Sequence, residues 1–124
     1  MLALAASTDE LMGQLVHFVE SNRCPLNDEK KTQVQLESIF QEAGHPVTRE
    51  HHLSEKDIPD FMIAGVAVEV KIKGQRMAIY RQLERYAAHD DVQGIVLVTS
   101  VCMSLPSTIC GKPARVASLS RGWL

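Results

Sequence analysis

Alternating apolar and polar side chains over residues 66–73 predict a β-strand with one buried face and one polar face. The buried face of this strand carries four branched apolar residues, Val66, Val68, Val70 and Ile72. The opposite face carries Ala67, Glu69, Lys71 and Lys73, since successive side chains of a strand alternate between its faces. Glu69 and Lys71 are therefore predicted to be neighbours on the polar face.

A second strand is predicted over residues 58–63, and Ala64-Gly65 is the short turn signal between the two strands. A two-residue turn there sets a register in which Asp60 lies directly opposite Glu69, with the two Cβ atoms about 5 Å apart. Ala-Gly is not a preferred hairpin pair, so a longer loop with Asp60 in a diagonal position is the alternative. Carboxylates this close repel unless a cation lies between them, and their oxygen atoms suit magnesium, manganese or calcium.

The rest of the chain predicts helices and strands around this hairpin. Apolar residues at helical spacing predict helices over residues 8–21, from Asn27 or Asp28 to residue 43, and over residues 75–88. Further strands are predicted over residues 45–53, 94–99 and 113–119, and the apolar run 94–99 is typical of a central strand buried on both faces. Residues 101–111 are predicted to be irregular.

Composition is compatible with one globular domain but does not identify its class. The chain has 124 residues, of which 45% are hydrophobic and 23% charged, and this is enough for a hydrophobic core. We expect a single domain over residues 1–124, in which residues 1–26 form an N-terminal helix and connection and residues 27–124 form the core. No signal peptide or membrane span is evident, so a soluble, cytoplasmic protein is expected.

Two short motifs resemble the PD-(D/E)XK nuclease superfamily. Pro59-Asp60 matches its PD half, and Glu69-Val70-Lys71 matches its (D/E)XK half. Downstream, Gln82-Leu83-Glu84-Arg85-Tyr86 is similar to the QxxxY element of RecB-like members. Each match alone also has an ordinary interpretation. The carboxylates and lysine could belong to the solvent-exposed face of a hairpin, and the glutamine and tyrosine to the edge of a packed helix face. The resemblance implies an α/β (α+β) fold with a restriction-endonuclease-like core, a central mixed β-sheet flanked by helices, here with an extra N-terminal helix.

The resemblance also implies an activity, a cofactor and a set of site residues. The expected activity is a metal-dependent DNA endonuclease that leaves 5′-phosphate and 3′-hydroxyl ends, with Mg²⁺ as cofactor and Mn²⁺ as its substitute. Asp60, Glu69 and the main-chain carbonyl of Val70 are the implied metal ligands. Lys71 is implied to position the nucleophilic water and offset negative charge, and Gln82 to support the water or phosphate.

A glutamate on the first core helix also contributes to the metal site in similar nucleases, often through water. Glu29 is the candidate for this role because it lies at the edge of the apolar stripe of its helix, whereas Glu37 lies further round. Glu29 could instead only favour the helix N-terminus electrostatically. Glu50, on the first predicted strand, is a third candidate, so the residue that completes the site stays open.

Basic residues gather next to the proposed site although the whole chain has a formal net charge of −2. Residues 69–85 contain five basic and two acidic side chains, a local net charge of +3, which suits phosphate binding but also fits a solvated helix face. The predicted contacts with the DNA backbone are Lys73, Arg76 and Arg85. Tyr86 is predicted to brace the site or to contact DNA.

Substrate choice is constrained only by size. A small domain without a separate recognition module favours a structure-directed or weakly sequence-specific endonuclease, such as a Holliday-junction-resolvase-like or nicking enzyme. A homodimer is expected for a resolvase because it needs two active sites, and a small phage or mobile-element nuclease fits as well. The alternative is a non-catalytic nucleic-acid-binding or assembly subunit that retains the nuclease fold.

Overall fold

The computed structural model describes residues 7–25 and 27–119, which form an α+β fold with a mixed sheet and helices on both of its faces. The helices are α1 (Thr8–Glu20), α2 (Glu29–Glu42) and α3 (Arg76–Ala87). The strands are β1 (Thr48–Arg49), β2 (Phe61–Ile63), β3 (Val66–Lys71), β4 (Gly94–Thr99), β5 (Thr108–Ile109) and β6 (Lys112–Ser118). None of the helices in these ranges combines the length and apolar character needed to cross a membrane.

The six described strands form one sheet in the order β1-β2-β3-β4-β6-β5. Strands β1, β2 and β3 form an antiparallel meander, β4 is parallel to both β3 and β6, and β5 is antiparallel to β6. The central strand β4 is buried along its whole length. This confirms the prediction of a central strand over residues 94–99.

Two hydrophobic cores cover the two faces of the sheet. Helices α1 and α2 pack on the face that presents Val68, Val70 and Val96, with Leu36 and Phe40 among the buried helix residues. Helix α3 packs on the other face, where Ile79, Leu83, Tyr86, Ala67, Ile95 and Leu97 are buried together. The alternation predicted for residues 66–73 is therefore confirmed as far as Lys71, where β3 ends, and it directs the side chains of Glu69 and Lys71 to the α3 side.

The three predicted helices are present, and two of them begin at side-chain caps. Ser7 Oγ accepts a hydrogen bond from the Glu10 N–H at 3.2 Å, and Asp28 Oδ1 accepts one from the Lys31 N–H at 3.1 Å. Of the two predicted caps for α2, Asp28 is the one observed. Such caps satisfy N–H groups that have no partner inside the helix.

The turn at Ala64-Gly65 sets the register of the central hairpin. Both residues have positive φ, +47° for Ala64 and +85° for Gly65, as a tight two-residue hairpin of this twist requires. Phe61 then pairs with Val68, so the next pair along the register is Asp60 with Glu69. The two-residue turn is confirmed over the longer loop, although Ala-Gly is an uncommon pair for it.

Other assignments made from the sequence were wrong in part. The strand predicted over residues 45–53 is reduced to Thr48–Arg49, because Glu50 has φ +51° and leaves the extended conformation. The strand predicted from residue 58 starts at Phe61, after Pro59, which has no N–H to donate to a ladder. Residues 101–111 were predicted to be irregular but contain β5, which pairs with β6.

Candidate functional site

Asp60 and Glu69 face each other where the β2–β3 hairpin opens. Asp60 Oδ2 accepts a hydrogen bond from the Val70 N–H at 2.8 Å, and Glu69 Oε1 accepts one from the Asp60 N–H at 3.2 Å. Each carboxylate therefore bonds the backbone of the opposite chain segment, which holds the pair in place. Glu69 is 4% exposed, and Asp60 is partly buried.

Burial makes both carboxylates harder to ionise. Desolvation, and then the negative charge of Asp60, raise the pKa of Glu69 to about 7. Desolvation also raises the pKa of Asp60, against the lowering effect of the Val70 N–H, and the charge of Glu29 adds to the increase. A cation between the two groups relieves both the burial cost and the repulsion.

Lys71 lies next to this pair on the same face of β3, as predicted. Its Nζ is 3.4 Å from Glu69 Oε2, and its side chain is 26% exposed. The positive charge lowers the pKa of both carboxylates but does not outweigh their burial. The structure thus brings together the three residues that carry the sequence motif.

Gln82 and Tyr86 complete one side of the site from α3. The Tyr86 hydroxyl lies 3.2 Å from Glu69 Oε1 and 3.3 Å from the Ile58 carbonyl, so its single proton can bond either acceptor. Gln82 Nε2 donates to the Tyr86 hydroxyl at 2.9 Å. Burial and the neighbouring Glu69 raise the pKa of Tyr86, which keeps its hydroxyl a donor.

Tyr86 was predicted among the DNA contacts, and this assignment is corrected. Its side chain is 1% exposed and belongs to the core between α3 and the sheet. An amphipathic tyrosine at this position buries its ring and leaves only the hydroxyl for polar contacts. Of its two predicted roles, the structure supports the bracing of Glu69.

Glu29 is the one of the three candidate glutamates whose charge acts on Asp60. Its Oε1 accepts a hydrogen bond from the Ile72 N–H at 3.2 Å, so it reaches the end of β3 from the start of α2. Glu37 is instead paired with Arg49 at 3.3 Å. Glu50 is exposed and lies in the left-handed region that ends β1.

The donor atoms at the pair are hard oxygens, which suit Mg²⁺ or Mn²⁺. The Lys71 carbonyl accepts from Thr99 Oγ1 on the β4 side, so the preceding carbonyl, that of Val70, points to the opposite edge, where Asp60 lies. In residues 7–25 and 27–119, no group of three or more His, Cys, Asp or Glu side chains is arranged to hold a metal ion. The oxygens that a cation could meet at the pair are those of the two carboxylates and of the Val70 carbonyl, and the charge of Glu29 also acts on Asp60.

A groove of about 290 Å³ opens beside Lys71 and leads along the start of α3. It is lined by Lys71, Lys73, Gly74, Gln75, Ala78, Ile79, Gln82 and Arg85. Lys73 and Arg76 are exposed, and the Arg85 side chain is 56% exposed while its Nε contacts Asp57. Two of the three predicted basic residues, Lys73 and Arg85, thus line the same groove as Lys71, and Arg76 follows the groove residue Gln75 at the start of α3.

Three residues near the site were not found from the sequence. Asp57 contacts both Arg85 and His89, but Asp57 and His89 lie in connections without a periodic pattern. Arg49 was missed although it lies on a predicted strand. Its Nη2 donates to Gln33 Oε1 at 3.0 Å, and its charge lowers the pKa of Asp60.

Comparison of the chain with protein-family models, with curated proteins and with solved structures found no match. The function is therefore inferred from the site itself.

Proposed function

We propose that this protein is a metal-dependent DNA endonuclease with a PD-(D/E)XK-type site. The observation that carries the proposal is the pair Asp60 and Glu69, held face to face by the opposite backbone with Lys71 next on the same face. Such a buried, self-repelling pair is costly to a protein that does not use it. A divalent cation is the partner that its chemistry suits best.

The order of the elements supports a restriction-endonuclease-like core. Helix α2 precedes the strands that carry the motif, α3 follows them, and β4 then joins the same mixed sheet beside β3. This is the arrangement that the resemblance implies, with α1 as the extra N-terminal helix. The proposed core thus begins at α2, and its motif residues lie on β3 and just before β2.

The proposed metal ligands are Asp60, Glu69 and the Val70 carbonyl, with Glu29 acting through water. A bound Mg²⁺ or Mn²⁺ supplies polarisation of the scissile phosphate and a lowered pKa of bound water. Two carboxylates leave most of the coordination sphere to water and phosphate oxygens, as is usual for Mg²⁺. A metal held by these residues would leave room for a phosphate oxygen and water as further ligands.

Lys71 acts as an electrostatic group in this proposal. Its Nζ is 3.4 Å from Glu69 Oε2, and nearby carboxylates favour the charged ammonium over a free amine that could act as a base. The ammonium orients the attacking water and offsets negative charge that develops on the phosphate. Tyr86 and Gln82 keep Glu69 in one orientation through the hydroxyl contact at 3.2 Å.

Lys73, Arg76 and Arg85 are proposed to bind backbone phosphates on either side of the cleaved bond. Phosphate contacts position DNA without reading its sequence, so we propose a structure-directed or weakly sequence-specific enzyme, resolvase-like or nicking. The proposed products carry 5′-phosphate and 3′-hydroxyl ends. A homodimer is proposed because paired cuts in a junction require two sites.

The proposal is tested by a magnesium-dependent cleavage panel of supercoiled plasmid, linear duplex, single strand, flap and four-way junction. We expect cutting that EDTA abolishes and products that a ligase can rejoin. Replacement of Lys71 by Ala should slow cutting by at least about 100-fold, the usual cost of losing one group that stabilises transition-state charge. DNA binding by the variant should change little.

Lys30→Ala is the matched control, because Lys30 is an exposed lysine of α2 outside the proposed site. It should cut like the wild type. Equal cutting by Lys71→Ala and the control would sink the assignment of this site. DNA binding without any cutting by the wild type would favour the non-catalytic subunit instead.

A further inference from the structure

Asp57 is a buried carboxylate outside the pair of proposed metal ligands, and it is held by Arg85 at the end of α3 and by His89 just after it. Asp57 is 9% exposed. Its Oδ1 is 3.2 Å from Arg85 Nε, and its Oδ2 is 2.8 Å from His89 Nε2. Each oxygen of Asp57 therefore has its own partner, as a buried carboxylate requires.

Further hydrogen bonds hold the segment that leads to Asp60. The Asp57 N–H donates to Ser54 Oγ at 3.1 Å, and the Asp57 carbonyl accepts from the Leu53 N–H at 2.9 Å. One residue later, the Ile58 carbonyl lies 3.3 Å from the Tyr86 hydroxyl. Two side chains at the end of α3, Arg85 and Tyr86, and His89 just after it thus hold two consecutive residues.

Asp60 itself lies outside the regular β2–β3 ladder, whose first pair is Phe61 with Val68. The Asp60 carbonyl accepts from the Glu50 N–H at 3.0 Å, and the Asp60 N–H donates to Glu69 at 3.2 Å. The chain enters Asp60 from Asp57 and Ile58 through Pro59, and the contacts with Arg85, Tyr86 and His89 hold Asp57 and Ile58 in place.

We propose that Asp57 is a positioning residue, which acts through Arg85 and His89 to hold Asp60 opposite Glu69. The part of this inference that concerns metal affinity rests on the proposed function, whereas the positioning itself does not. Residues outside the direct ligands of a metal commonly set the orientation of those ligands. Asp57 also contacts Arg85, which lines the basic groove. The Asp57 carboxylate therefore links the groove to the segment that carries Asp60.

Amide hydrogen exchange in the metal-free protein tests the positioning directly. The Val70 N–H bonds Asp60 Oδ2, and the Asp60 N–H bonds Glu69 Oε1, so their exchange rates report whether the two carboxylates keep their places. In Asp57→Ala we expect these two amides to exchange at least about 10-fold faster relative to the Val98 amide of the central strand. Asp57→Asn keeps an acceptor for Arg85 and a donor for a neutral His89, so it should restore most of the protection.

Val19→Ala is the control for a general loss of stability, because Val19 is buried in α1 on the other face of the sheet. It should lower the melting temperature and leave the ratio of Val70 to Val98 exchange unchanged. If Asp57→Ala changes this ratio no more than Val19→Ala does, the positioning role is overturned.

Calorimetric titration with Mn²⁺ completes the experiment. Asp57→Ala should weaken Mn²⁺ binding by about 10- to 100-fold, as the loss of an orienting group does, while Asp57→Asn and Val19→Ala stay closer to the wild type. A wild type that binds no Mn²⁺ but shows the expected exchange pattern would overturn the proposed function and support the positioning role.

Discussion

The pKa of Glu69 in the proposed site is set by contributions of opposite sign. Its Oε1 accepts from the Asp60 N–H and lies 3.2 Å from the Tyr86 hydroxyl, and Lys71 is near its other oxygen. These contacts lower the pKa of Glu69, but burial and the charge of Asp60 raise it more, to about 7. Near neutral pH a proton and the proposed metal ion would therefore compete for the same carboxylate.

Without metal, the stability of the protein should fall as the pH rises from about 4.5 to about 7, the usual and the folded pKa of Glu69. In that range the folded state keeps a proton that the unfolded state has lost, so the free energy of unfolding decreases with pH. The decrease is on the order of 3 kcal/mol. Urea unfolding at pH 5 and pH 8 in EDTA, with wild type and Glu69→Gln, measures it.

The difference between the two proteins is the decisive quantity, because other groups add slopes of their own. Burial lowers the pKa of His45, and a lowered histidine pKa makes stability rise with pH near 6.5. Glu69→Gln keeps that contribution and loses the one from Glu69. An identical pH dependence in wild type and variant would show that the pKa of Glu69 is not raised in the folded state.

At the scale of elements, the hairpin shows what the sequence could predict and why. The alternation of side chains along the strand assigns Glu69 and Lys71 to one face from local residues alone. The two-residue turn then places Asp60 opposite Glu69. The short strands were harder to predict. The end of β1 at Glu50 depends on a positive φ, +51°, which residue type does not reveal, and β5 forms only because β6 lies beside it.

Gly65→Ala should destabilise the protein, and Ala64→Gly should not. A Cβ at Gly65 would lie 2.9 Å from Gln93 Cγ, and the residue has a φ of +85°. Both the steric contact and the backbone conformation therefore disfavour alanine at this position. We expect a loss of about 1 to 2 kcal/mol for Gly65→Ala. Ala64 already has φ +47°, so Ala64→Gly relieves strain and should change stability by less than about 0.5 kcal/mol. Urea unfolding of both variants measures the contrast, and equal losses would contradict the role of this turn.

At the scale of the whole molecule, the site depends on contacts between distant parts of the chain. Asp60 and Glu69 are close in sequence and joined by one hairpin, which is why their pairing could be predicted. Asp57 meets Arg85 and His89 across 28 and 32 residues, and only the packing of α3 on the sheet brings them together. No local pattern marks such a contact, so the sequence did not indicate it.

The basic groove should make DNA binding depend on salt. Each protein–phosphate contact adds about 0.9 to the slope of log affinity against log salt for duplex DNA. Lys73 lines the groove, and Arg76 is exposed next to the groove residue Gln75. The double variant Lys73→Ala/Arg76→Ala should therefore reduce that slope by about 1 to 2. Fluorescence anisotropy at several salt concentrations measures it, with Lys30→Ala as a control that removes one exposed positive charge elsewhere.

An unchanged slope in the double variant would place the DNA elsewhere on the surface. A reduced slope in the Lys30 control would extend the DNA contact to α2, whose first residue, Glu29, reaches the end of β3 at Ile72.

The most direct test of the central claim is calorimetric titration of Mn²⁺ into the metal-free protein and into Asp60→Asn and Glu69→Gln. Both variants keep the size of the side chain and an oxygen acceptor while they remove one charge. We predict saturable binding to the wild type and its loss or strong weakening in both variants, with the fold intact by circular dichroism. Equal Mn²⁺ binding by the wild type and both variants, or none by the wild type, would contradict a metal site at Asp60 and Glu69.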